Sequence, residues 1–289
     1  MSYDYQTLLV RQEGRILTAT ISNPPVNVMT PALYMDLVNF TTEVAEDPAV
    51  SVLVMESADP DFFIAHFDIE TLLAMPVDFP PQRSETLNPF HQMCERVRTM
   101  NKATVAKIAG RVGGGGNEFA SAFDMRFGLR GKTMINQMEV PLGILPGGGG
   151  TQHLPRLIGR GRAMEVILGA DDLDAETAER WGYLNRIFDT TEDLDEFVAR
   201  LAARMAAWPP EALALANASV LNAELPLHQG LVEEAYLFQQ TMRLADAQRN
   251  MATAMRVGAQ TRDGESRMGE LALEIAAQSA SSTATGDDN

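Results

Sequence analysis

The sequence predicts an α/β domain followed by a helical appendage, on three observations. The first half alternates short strand-like runs with helical ones. After Pro209-Pro210 the pattern is helical and almost free of strand signals. Between these regions lie two four-glycine runs, at 113–116 and 147–150. At 289 residues the chain is long enough for one substantial domain and a smaller addition.

Residues 5–11 and 15–22 read as two strands joined at Glu13-Gly14, a hairpin-like turn. Asn23-Pro24-Pro25-Val26-Asn27 breaks the chain. Thr30 then caps a helix that has Pro31 at its first position and runs toward residue 45. The apolar, β-branched runs 51–57 and 103–109 read as buried strands, and the second delivers the chain into the first glycine run. Three prolines in 75–83 predict an irregular surface loop, either a connection or a wall of a pocket. Helical spacing marks 161–168, 175–181 and 194–207, with a strand at 184–188. It also marks 211–221, 227–242 and 245–257, an appendage whose apolar faces need a partner. From Asp263 the sequence becomes polar and small, and the last dozen residues are expected to be disordered.

Hydrophobic residues at 45% and charged ones at 21% are the proportions of an ordinary globular protein. The net charge of −16 argues against nucleic acid and anionic membrane surfaces as partners. No leader-like segment or membrane-length apolar run is present, so the cytoplasm is the expected location. The one cysteine, Cys94, excludes an internal disulfide and sits in a helical pattern, where an inert buried thiol is expected.

The glycine runs are not phosphate loops, because Asn117-Glu118 and Thr151-Gln152 follow them in place of Lys-Ser/Thr. Neither has the spacing of the dinucleotide fingerprint. The four histidines, His66, His91, His153 and His228, are scattered, so no metal site is expected. What remains is acid–base chemistry beside backbone amides. Glu118 closes the first run and Glu139 precedes the second. Taken singly, Glu118 reads equally well as a helix-start carboxylate, and Glu139 as a solvated loop residue. As a pair flanked by glycine runs they are suited to proton transfer next to a carbonyl.

The central block, Ile108-Ala109-Gly110-Arg111-Val112-Gly113-Gly114-Gly115-Gly116-Asn117-Glu118-Phe119-Ala120 with Phe123-Asp124, resembles the signature of the crotonase superfamily, the enoyl-CoA hydratases and isomerases. Residues 137–152, from Gln137-Met138-Glu139 to Gly150-Thr151-Gln152, continue the resemblance. Upstream, Phe63-Ile64-Ala65-His66-Phe67-Asp68-Ile69 and Asn23-Pro24-Pro25-Val26-Asn27 also match the family in order. The resemblance covers roughly residues 5–260. It implies a crotonase (ClpP-like) spiral of repeated β-β-α units over 1–207 and a C-terminal helical oligomerisation region over 208–262, and the composition adds a polar, partly disordered tail over 263–289. It also implies assembly as a homotrimer or a dimer of trimers.

By position, the resemblance assigns the oxyanion-hole amides to Phe67 and Gly115 and the proton-transfer groups to Glu118 and Glu139. Gln137 would help hold Glu139. Val26, Ala65, Asp68 and Ile69 would hold the adenine and pantetheine regions of an acyl-CoA thioester, and His66 either points away, hydrogen-bonded, or touches the substrate or its pantetheine arm. No cofactor is expected beyond the CoA carried by the substrate. With glutamates at both positions, the implied reaction is syn addition of water to a trans-2-enoyl-CoA, as in fatty acid metabolism. The other readings are an enoyl-CoA isomerase using Glu139, a CoA-independent β-diketone hydrolase, and a non-catalytic assembly protein. Two departures stand out. His66 replaces the family's usual glycine, and position 70 is Glu70 where family members often carry lysine, the only lysines being Lys102, Lys107 and Lys132.

Overall fold

Ten strands form two sheets in the computed structural model, which describes residues 3–78 and 80–284. The strands are β1 (Leu8–Glu13), β2 (Ile16–Ile21), β3 (Val52–Ser57), β4 (Phe62–Ile64), β5 (Ala103–Ile108), β6 (Arg111–Gly113), β7 (Met125–Leu129), β8 (Met134–Asn136), β9 (Leu173–Asp174) and β10 (Arg186–Phe188). A six-stranded sheet runs β1-β2-β3-β5-β7-β10, and a four-stranded sheet runs β4-β6-β8-β9. β1 and β2 are an antiparallel hairpin turning at Gly14 (φ +57°), while β2 and β3, β5 and β7, and β7 and β10 pair in parallel.

The helices are α1 (Pro31–Glu46), α2 (Ile69–Leu73), α3 (Pro89–Thr99), α4 (Gly114–Ala120), α5 (Gly150–Ile158), α6 (Arg160–Gly169), α7 (Ala175–Trp181), α8 (Thr191–Ala206), α9 (Pro210–Leu221), α10 (Leu227–Met242), α11 (Ala245–Arg256), α12 (Arg262–Ser266) and α13 (Met268–Ala284). By their contacts the residues fall into two units. One takes the chain up to Met100 together with Thr104–Ala199, and the other takes Asn101–Ala103 together with the chain from Arg200 onward.

The first unit is the spiral of β-β-α repeats. β3 and β4, β5 and β6, and β7 and β8 each send one strand to the large sheet and the next to the small sheet. Strands covered on both faces must be apolar throughout, and Val52, Leu53, Val54 and Met55 of β3 are all buried. On α1 the buried residues Leu33, Leu37, Phe40, Thr41 and Val44 follow helical spacing, and the Thr30 side chain caps the helix by accepting from Leu33 N–H.

Within the small sheet β4, β6 and β8 run parallel, so their carboxyl ends point the same way. From those ends emerge the segments 65–68, 114–118 and 137–139, which contain most of the residues singled out in the sequence. Gly110 sits at the entry to β6, where an added Cβ would lie 2.2 Å from the backbone carbon of Asp61.

The second unit contains α9 to α13, and α11 packs on α13 within it. The tail differs from expectation. Residues 262–284 form α12 and α13 instead of a loose polar segment, and 285–289 lie outside the described residues, as does residue 79 of the expected loop 75–83. The reason is the apolar spacing on α13, which buries Leu271 and sets Ser279 beside buried Thr253. Among the described residues between α2 and α3 there is no helix or strand, as the prolines predicted.

Gly110→Ala is expected to lower stability by about 1–3 kcal/mol, because backbone rather than a flexible side chain must give way. A urea unfolding midpoint equal to that of the wild type would contradict this account of the β4–β6 approach.

Candidate active site

The four glycines at 113–116 are explained by what each backs onto. A Cβ on Gly113 would lie 2.6 Å from the Ala65 carbonyl oxygen, and one on Gly116 would lie 2.6 Å from the Ile64 carbonyl oxygen. One on Gly115 would lie 3.0 Å from Phe67 Cβ and 3.6 Å from Phe67 N. Gly114 has φ +47°, and a Cβ there would meet Glu139 Oε1 at 2.8 Å. The first run thus presses the start of α4 against the segment after β4 and the segment after β8.

This close approach brings the Phe67 and Gly115 amides together. Gly115 lies in the first turn of α4, where N–H groups have no partner within the helix. Among the described residues, neither amide donates to another protein group. The segment carrying Phe67 is pinned from the other side, where Met29 N–H donates to His66 O (2.8 Å) and Asp68 N–H donates to Met29 O (3.2 Å). The Phe67 side chain is also fixed. Its ring meets Tyr34 and Phe90 edge-on, with centroids 5.9 and 6.1 Å away.

Glu118 lies one turn into α4 and is only 3% exposed. Its carboxylate does not cap its own helix. It reaches the second glycine run instead, where Gly148 N–H (2.7 Å) and Gly150 N–H (2.8 Å) both donate to Oε1. Gly149 and Gly150 are the N-cap and first residue of α5, so the helix-start reading holds for α5, not for α4. The second run therefore cradles an internal carboxylate. A Cβ at Gly148 would lie 2.5 Å from Glu118 Oε2 and from the Phe90 ring. Burial pushes the Glu118 carboxyl up to about 7, the Glu139 charge adds to this, and the Gly150, Gly148 and Gly149 amides pull against it.

Glu139 is 8% exposed, so it is not the solvated loop residue of the simpler reading. It is the residue just before a short 3-10 turn, Val140–Leu142. Burial raises its carboxyl above the ordinary value, while its neighbouring amides and His66 favour the charge. Gln137 is fully buried, and its amide satisfies both neighbours in one orientation, in which Nε2 donates to Glu139 Oε2 at 2.7 Å.

His66 is half-buried with its Nδ1 2.8 Å from Phe67 O, and since a carbonyl only accepts, the proton is on Nδ1. Its Cβ lies 3.4 Å from the Cβ position of Gly114, on the side occupied by Glu139. Both backbone groups of Asp68 are committed, the N–H to Met29 and the carbonyl to Leu72 N–H, and its side chain caps α2 by accepting from Thr71. Ala65 is buried, while Val26 and Ile69 are half-buried.

Of the lysines, Lys107 pairs with Glu56 and Asp195, Lys132 lies 3.5 Å from Asp61, and Lys102 is buried. Cys94 is buried, which pushes its thiol well above the ordinary range, as an inert thiol requires. No group of three or more metal-binding side chains occurs among the described residues. Tyr34, Phe90 and the Gly148 amide were missed in the sequence. The only signal for them was the apolar face that places Phe90 at the start of α3.

Two buried carboxyl groups beside paired, unengaged amides, on a spiral of β-β-α units, define a protein class that moves protons next to a polarised carbonyl. The enoyl-CoA hydratase/isomerase family pattern matches residues 11–257. The chain is 32% identical over 241 residues to a 2,3-dehydroadipyl-CoA hydratase of Escherichia coli K12, covering 80% of this chain and 88% of that one. It is 30% identical to a crotonyl-CoA hydratase of Syntrophomonas wolfei, over 70% of this chain and 76% of the relative. Among solved structures, an enoyl-CoA hydratase from Bacillus anthracis superposes with a TM-score of 0.78 at 25% identity, over 87% of this chain and 96% of the other. The chain belongs to the enoyl-CoA hydratase/isomerase family, the crotonase superfamily.

The raised Glu118 value carries a sign for stability. The native state holds this proton more tightly than the unfolded chain, so the contribution is complete below the ordinary value of 4.5 and is lost as pH rises through about 7. Glu118→Gln is neutral throughout and keeps an oxygen for both glycine amides. Its stability relative to wild type is expected to grow by about 3 kcal/mol between about pH 4 and about pH 8. A difference independent of pH in urea unfolding would contradict the burial argument.

Proposed function

We infer that this protein is an enoyl-CoA hydratase-like hydro-lyase, adding water across the double bond of a trans-2-enoyl-CoA thioester. The observation that carries this reading is the convergence of Glu118 and Glu139, both buried, on the segment that presents the Phe67 and Gly115 amides. The thioester oxygen would accept from both amides and gain enolate charge as water attacks C3. Glu118 uses Oε1 for Gly148 and Gly150, which leaves Oε2 to orient and deprotonate that water. Glu139 delivers a proton to C2 from the same side, giving syn addition. At the end Glu118 holds the water's proton and Glu139 is ionised, and exchange with solvent resets the pair.

CoA enters as part of the substrate, and the reaction so drawn calls on no further cofactor. Val26, Ala65, His66 and Ile69 are the residues we assign to the adenine and pantetheine regions. Asp68 contributes by shaping their loop. With Lys102, Lys107 and Lys132 buried or paired, the phosphates would fall to arginines.

The helical region over 208–262 is assigned to assembly as a homotrimer, or a dimer of trimers. Neither α9 nor α10 has a buried residue, and Val220, Leu227, Leu231, Val232, Tyr236 and Phe238 are exposed. That much apolar surface calls for a partner. No helix among the described residues is long and apolar enough to cross a membrane. The acidic balance and single cysteine fit the cytoplasm.

Incubation with crotonyl-CoA is expected to remove the enoyl-thioester absorbance. Glu118→Gln and Glu139→Gln should each lower kcat by about 10²–10⁴-fold. Turnover surviving in Glu118→Gln alone would favour isomerase chemistry through Glu139. In sedimentation the protein is expected to behave as a trimer or hexamer, and Leu231→Glu combined with Phe238→Glu should release monomers. A monomeric wild type would refute the assembly role of α10.

A further inference from the structure

Behind Glu139 a line of buried side chains runs away from the site, and the reaction as drawn uses none of it beyond Gln137. Gln137 Nε2 donates to Glu139 Oε2 (2.7 Å) and lies 3.3 Å from Oε1. Its Oε1 accepts from Asn117 Nδ2 at 2.9 Å. Asn117 Oδ1 in turn accepts from the Tyr183 hydroxyl. Asn117, Gln137 and Tyr183 are all fully buried, so their polar atoms depend on protein partners: their neighbours in the line, the Asn136 carbonyl 3.5 Å from Asn117 Nδ2, and the Ser121 side chain beside the Tyr183 hydroxyl.

The line has a direction. A carboxamide turned by half a rotation presents oxygen where nitrogen was, with almost no change of shape. If Gln137 turned, its oxygen would face the Glu139 carboxylate. What holds Gln137 is the Asn117 N–H group. What holds Asn117 is chiefly the Tyr183 hydroxyl, a donor when it faces a carbonyl oxygen, with the Asn136 carbonyl accepting from Asn117 Nδ2 at a longer 3.5 Å. Tyr183 is itself fixed. It follows Gly182 (φ +87°) at the end of α7, its carbonyl accepts from buried Arg126 Nε at 2.8 Å, and the Arg126 guanidinium lies 5.3 Å from its ring centre.

We propose that Tyr183 and Asn117 are positioning residues for the reaction. Acting through Gln137, they hold the Glu139 carboxylate in one orientation with an N–H group always presented to it. This inference rests on the hydratase reading. In hydration the line favours the carboxylate left after Glu139 gives its proton to C2, and in dehydration it aims that carboxylate at the C2 hydrogen. Buried hydrogen-bond lines of this kind act as units, because loss of one member frees the rest. No proton travels along the line, and its members only fix the direction of each hydrogen bond.

The test uses Tyr183→Phe in the full chain, assayed with crotonyl-CoA and, in reverse, with 3-hydroxybutyryl-CoA. The expected result is a fall in kcat of roughly tenfold or more with KM within about twofold, because the carboxylate is misaimed while the binding groups are untouched. In the dehydration direction the acid limb of kcat/KM should move to higher pH. The titratable groups facing Glu139 are Glu118 and His66, and the variant alters neither. Asn117→Leu breaks the line one step nearer the site and serves if Tyr183→Phe does not fold. If both fold, the double variant should be no worse than the more impaired single one, since either change releases Gln137.

Unchanged kcat and an unmoved acid limb in a folded variant would overturn the proposal, as would strictly additive losses. A wild type that turns over no enoyl-CoA would sink the hydratase reading but leave this test standing. Carbon-13 titration of the Glu139 carboxyl is then expected to show it protonating at higher pH in Tyr183→Phe, and coincident titrations would refute the line.

Discussion

The site depends on one interaction, the acceptance of two glycine amides by the buried carboxylate of Glu118. Gly148 and Gly150 N–H groups both reach Oε1, and this joins the interior of α4 to the start of α5. A carboxylate this deeply buried is tolerated only when such donors replace water. The same contact forbids side chains at 148 and 150, where a Cβ would fall 2.5 and 3.1 Å from the carboxyl oxygens. The bare Gly148 backbone also lets the edge of the Phe90 ring approach the second run closely.

Around that contact, successive β-β-α units each supply one part. The segment after β4 presents the Phe67 amide, the one after β6 presents Gly115 and Glu118, and the one after β8 presents Gln137 and Glu139. Parallel pairing of the three strands makes these parts emerge at one end of the small sheet. Glycine at 113–116 then sets how closely they meet. The spacing at the site is imposed by backbone, since the Phe67 and Gly115 groups that meet there are amides, which any substitution other than proline leaves in place.

The two glutamates share one pocket but not one environment. Glu118 is held by backbone amides at a helix start, whereas Glu139 is held by the side-chain amide of Gln137. Burial raises both, and it is partly offset by the Gly150, Gly148 and Gly149 amides at Glu118 and by the Glu139 and Met138 amides and His66 at Glu139. Fixed amides cannot turn, but a glutamine can, so Glu139 alone needs side chains behind its partner to keep the hydrogen bond directed. In the proposed hydration, these different supports would let one acid give up a proton while the other takes one.

Much was legible in the sequence because it depends on local pattern. The hairpin at Gly14, the Thr30 cap, the strands at 52–57 and 103–108, the long C-terminal helices and both glutamates follow from period, capping and glycine content. The helix over 268–284 did not, because its small residues resemble a solvated tail until α11 supplies a face to cover them. Nor did the purpose of the second glycine run. Sequence places Gly148 and Gly150 some 30 residues from Glu118, and only the spiral brings them within hydrogen-bond reach. The chain by itself determined which elements form and which acids are available, through residue chemistry and short-range periodicity. The tertiary structure alone decided which amides face those acids, because hydrogen-bond direction between distant segments is set by packing and not by order along the chain.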